Sequence, residues 1–170
     1  YAKRLEEHAA ELAEHFSQST DPADLKKAVE YGEMAARRAI NVYAYGEAVR
    51  LLEQALKVQE ILDPEDKGKR CDLILAMGDA LLLTPEPRRI LNTEAPQALS
   101  LAEAMGDSQR ACRACMLAVM ALVSFGDLPA LSTPEGARWV AKLDRYAQPG
   151  TVERVWADGM EAQRTVGSCR

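Results

Sequence analysis

Cysteine and histidine are scarce in this chain, with four and two among 170 residues. The only close cysteine pair, Cys112-x-x-Cys115, has no second CxxC or CxxH to complete a metal set. It falls inside an apolar helical stretch, where positions three apart share a face, so both thiols are expected as small buried side chains. Aromatics are 5% of the chain. Rings therefore cannot build the core, and the frequent Ala and Leu imply close-packed helices instead. The net charge is −5 with no Lys/Arg stripe, which argues against a nucleic-acid interface. The longest apolar run, Cys115–Val123, falls far short of the roughly 20 residues a bilayer requires, so no membrane span is expected. No G-x-x-x-x-G-K-[ST] phosphate loop occurs, and no sustained period-two alternation suggests a strand.

What the chain does contain is a repeat. The segments Glu53–Val58, Pro96–Leu101 and Trp139–Asp144 resemble one another, and their alanines Ala55, Ala98 and Ala141 fall 43 residues apart. Leu75–Leu82 and Leu117–Ser124 match at a spacing of 42. A helical period in the forties signals stacked helix pairs. The fold expected is all-α, an α-solenoid of about eight helices in antiparallel pairs. It is read as one domain over 1–170, with units at 22–62, 65–105 and 108–147 and flanking helices at 1–17 and 150–166. The chain begins at Tyr1 without Met, signal peptide or acylation motif and ends at Gly167-Ser168-Cys169-Arg170 without a cap. It is therefore read as a piece of a larger protein, with the cytoplasm as its default location.

Local signals set the helix limits. Leu5, Ala9, Leu12, Ala13 and Phe16 mark the first helix at three- and four-residue steps. Asp21-Pro22 gives an N-cap followed by Pro at the first helical position, opening a helix to about Asn41. Tyr43–Gly46 is the turn, with both tyrosines expected to pack at the corner. The third helix, Glu47–Leu62, should turn Val49, Leu52, Leu56 and Ile61 inward. Asp63-Pro64-Glu65 should cap a fourth helix reaching Leu83. Pro96 should forbid continuous helix through Asn92–Ala95, unless it occupies a first turn begun near Thr93. Gly106-Asp107 reads as a C-cap glycine followed by an N-cap. Ser108–Phe125 is apolar nearly all round from Cys112 and should be the most buried element. Thr133-Pro134 starts the seventh helix, and Pro149-Gly150-Thr151 separates it from the eighth.

The small-residue spacing resembles a tetratricopeptide repeat: Ala35, Ala36 and Ala39 match its first helix, and Tyr45, Glu47-Ala48, Leu52 and Ala55 its turn and second helix. Met77–Leu81 matches the first helix of a second unit, while Arg88–Pro96 departs by an insertion. Over most of the chain, His8–Phe16, Ala39–Ala55 and Arg138–Arg154 resemble the helical-repeat region beside the ATPase of large bacterial signalling proteins. These include ATPase-linked adenylate or guanylate cyclases and LuxR-type transcriptional activators. The resemblance implies a sensor or autoinhibitory scaffold. It carries no ATPase, cyclase or DNA-binding motif into these residues, and no cofactor.

Register in such repeats places Glu30, Glu33, Arg37 and Asn41 of the second helix on a concave face, with Asp72, Leu75, Asp79 and Leu82 at the matching positions of the fourth. A mixed groove of this kind suits a peptide or small effector; the plainer reading is a solvated face with ordinary helix pairs such as Glu33–Arg37. Trp139, Tyr146 and Trp156 are candidates for C-terminal packing or self-association, giving a homodimer through that end. His8, Glu11 and His15 share a helix face, but two histidines seven residues apart stand about 10 Å apart along the axis, too far for one metal ion. No nucleophile–base arrangement is supported. The expected function is a non-catalytic scaffold contacting other domains or a partner protein in a bacterial signalling or transcriptional regulator. The alternative is an effector-sensing module.

Overall fold

The computed structural model describes residues 7–126 and 128–167; for 125, 126, 128 and 161–167 only the backbone is described. The expected helix residues 1–6 and the cysteine at 169 lie outside the described residues, as does Asp127. Among the described residues the fold is all-α, with eight helices of nine residues or more and no strand. The chain divides into two compact units, Tyr1–Thr84 and Pro85–Arg170. The division falls inside the repeat expected at 65–105.

The first unit holds α1 (Ala9–Ser17), α2 (Pro22–Asn41), α3 (Tyr45–Leu62) and α4 (Lys67–Leu81), each packed on the next. The Asp21 carboxylate accepts from the Ala23 N–H at 2.8 Å and starts α2 as expected, with Pro22 at the first helical position. A seam of small residues lets α2 approach α3, since Gly32, Ala35, Ala36 and Ala39 are buried on one side and Ala48 and Ala55 on the other. Phe16 stacks on Tyr31 at 5.9 Å between ring centres, fixing α1 on α2.

Three details of this unit differ from expectation. Ile61 is 73% exposed, because Val58 and Gln59 take the inward face of the last α3 turn. The cap of α4 is Asp66, not Asp63: its side chain accepts from Lys69 N–H at 2.8 Å, while Asp63 closes α3. Tyr43 is 80% exposed, since the three-residue link after α2 turns it outward at φ 61°; its ring meets the Tyr45 ring in a T-shaped contact, 6.3 Å between centres.

The second unit opens with a helical turn, Pro87–Arg89, and a π-helical segment, Ile90–Glu94, that runs into α5 (Ala95–Met105). The sequence predicted a break here unless Pro96 stood in a first turn, and Pro96 does stand in the first turn of α5. The Ala95 N–H bonds to the Ile90 carbonyl five residues back, and this wider turn carries the backbone past Pro96, which has no N–H to give. α6 (Ser108–Gly126) packs on α5 and on α7 (Pro134–Tyr146), and α7 on α8 (Val152–Gly167); a 3-10 segment, Leu128–Ser132, lies against α6, α7 and α8. Gly106 ends α5 at φ 68° as a left-handed C-cap. Asp107 then caps α6, accepting from Arg110 N–H at 2.9 Å. α6 is the central element, burying Ala111, Cys112, Ala114, Cys115, Leu117, Ala118, Val119, Ala121 and Leu122.

The repeat register holds for Ala55 and Ala98, both buried, but not for Ala141, which is exposed. On α7 the inward side chains are Trp139, Val140 and Leu143, so the third segment is rotated away from the 43-residue register.

Candidate binding clefts

In the first unit, the start of α2, the end of α3 and the start of α4 enclose a cleft of about 390 Å³. Lys26, Val29 and Glu30 line it from α2, Gln59, Leu62 and Asp63 from the end of α3, and Asp66 and Lys69 from the start of α4. Val29 is buried and Leu62 half-buried, giving an apolar floor. Gln59 is 4% exposed, and its Nε2 donates to the Asp63 carbonyl at 3.3 Å. Lys69 is committed to Glu33, Nζ to Oε2 at 2.7 Å, which ties α4 to α2. Asp63 and Asp66 each spend an oxygen on a backbone N–H, of Glu65 and Lys69 respectively.

Of the eight residues expected along a groove, Glu30 lines this cleft and Glu33 stands behind it, bonded to Lys69. Arg37 and Asn41 are exposed on the last two turns of α2, and Asp72 is half-buried. Asp79 is exposed and Leu82 half-buried at the end of α4. Leu75 is 1% exposed and packs in the core, so it presents nothing to a ligand. The structure thus gathers Glu30 and Glu33 but not the full set. Lys26, Gln59 and Lys69 were missed by sequence reasoning. Gln59 had a signal: it sits in the apolar stripe Ala55, Val58, Leu62 of α3, where a polar side chain stands out.

Among the described residues of the second unit, two clefts share Tyr146. One, of about 420 Å³, is lined by Glu103, Asp107, Ser108 and Arg145 around the Gly106 turn; the other, of about 310 Å³, by Gln109, Cys112, Arg113, Gln148 and Glu153. The Tyr146 hydroxyl donates to Glu103 Oε1 at 2.6 Å, and that carboxylate beside it pushes the phenol pKa up. The hydrogen bonds from Arg110 hold the Asp107 carboxyl below its usual range, its backbone N–H foremost. Burial raises the Cys112 thiol and pushes Cys115 up to about 12, so neither is a thiolate near neutral pH. Cys71, Cys112 and Cys115 are buried, which for Cys112 and Cys115 is what the helix-seam reading expected.

Trp139 is 8% exposed, with Lys142 over its ring at 5.0 Å, so it packs within the unit. Trp156 is 46% exposed and stands beside Val152 at 69% and Val155 at 71%. Sequence reasoning also missed Glu94, which is fully buried in the π turn, with Arg89 Nε at 2.9 Å from its Oε1. His8 pairs with Glu11 at 3.0 Å. Among the described residues no group of three or more His, Cys, Asp or Glu is placed to hold a metal ion, and no helix is long and apolar enough to cross a membrane.

Compared with known protein families, curated proteins and solved structures, the chain matches none.

Proposed function

We propose that this chain is a non-catalytic helical-repeat scaffold for protein–protein or interdomain contact, in a cytoplasmic bacterial signalling or transcriptional regulator. The observation that carries the scaffold reading is α8. It buries Ala157 and Met160 on one side and presents Val152, Val155 and Trp156 to solvent on another, with open space over Gly159. On an ideal helix, positions 152, 155, 156 and 159 fall within one 100° arc. A helix apolar on two faces is the pattern of an element between two neighbours in a stack. The regulator assignment rests on the residue resemblance alone.

A solenoid of antiparallel pairs is part of this reading. Links of three residues between α2 and α3 and four between α3 and α4 support it, because packed helices joined so tightly reverse direction. In the isolated chain a second copy is the occupant of the α8 face. Sedimentation velocity over a concentration series tests this: reversible association is expected, and Val155→Glu should abolish it without changing the melting temperature. A chain that stays monomeric throughout, indistinguishable from Val155→Glu, overturns the scaffold reading of this face.

The second reading, an effector-sensing module, is favoured by the cleft between α2, α3 and α4, where a buried amide and charged side chains converge on an apolar floor.

A further inference from the structure

We draw no further inference here: the strongest candidate, the surface patch at the α2–α3 link where Val42 and Tyr43 face solvent beside Tyr45, is an unpartnered apolar corner, and nothing in the structure shows what covers it.

Discussion

Gly32 and Ala55 meet across the α2–α3 seam, so closely that a Cβ on Gly32 would stand 3.1 Å from the Cβ of Ala55. This contact joins one of the repeat-marking alanines to the facing helix and leaves no room for a branched side chain. Gly32→Val is expected to destabilise the first unit by about 2–3 kcal/mol, because overpacking forces the helices apart. Chemical denaturation monitored by circular dichroism checks it; an unchanged midpoint would show that the seam yields.

A stricter case lies in the second unit. A Cβ on Gly136 would run into the Ala130 carbonyl oxygen and stand 2.6 Å from the Leu131 Cα, both backbone atoms. Backbone cannot swing aside as a side chain can. Gly136→Ala should cost about 3 kcal/mol despite the better helix propensity of alanine. Its melting curve should show a clear loss, whereas Gly46→Ala, with nothing within 4 Å, should not.

Tyr43 holds a left-handed backbone at φ 61° while its side chain lies in solvent. A left-handed residue other than glycine costs roughly 1–2 kcal/mol, and glycine gives part of that back through its freer unfolded chain. Tyr43→Gly should stabilise the first unit by about 0.5 kcal/mol. Urea denaturation would reveal it, and a destabilised variant would mean that the exposed ring contributes more than its contacts suggest.

Removing Arg89 leaves the buried Glu94 carboxylate without the guanidinium now 2.9 Å away. Arg89→Met should cost about 3 kcal/mol at neutral pH, and adding Glu94→Met should restore most of it, since the buried charge is then gone as well. Denaturation of the single and double variants measures the difference. Equal losses in the two would show that Glu94 is held by packing rather than by the pair.

The Cys115 thiol, pushed up to about 12 by burial, links stability to alkaline pH. Unfolded, this thiol titrates near its ordinary value of 9.0. Above that pH the unfolded chain has lost a proton that the native chain keeps. Its contribution is therefore fully present below about pH 9 and declines as pH rises toward 12. Denaturation at pH 8 and at pH 10.5 should show a decline that Cys115→Ala reduces. Under native conditions at pH 8, a thiol reagent should leave Cys71 and Cys115 unlabelled until denaturant is added.

Much of the fold was legible because its signals are local. Asp21-Pro22, Gly106-Asp107 and Thr133-Pro134 mark helix ends through side-chain and backbone bonds within three or four residues. The burial of α6 followed from an apolar surface nearly all the way round. The candidate cleft was less legible. Glu30 was placed by repeat register, but Leu75 and Asp79, placed by the same rule, face the core and the solvent respectively. Register specifies a position along a helix but not the rotation of that helix against its neighbours.

By itself, the sequence determined the count of long helices among the described residues, most helix starts and the burial of Cys112 and Cys115, since caps, prolines and apolar periodicity act over one or two turns. Tertiary structure decided the rest. Packing turned Ala141 outward where Ala55 and Ala98 are buried, carried the chain past Pro96 on a π turn, and buried Glu94 beside Arg89. It also brought Lys26, Glu30 and Gln59 into one cleft from two helices nearly thirty residues apart in the chain. Such encounters depend on how helix surfaces fit together, which no local stretch of sequence encodes.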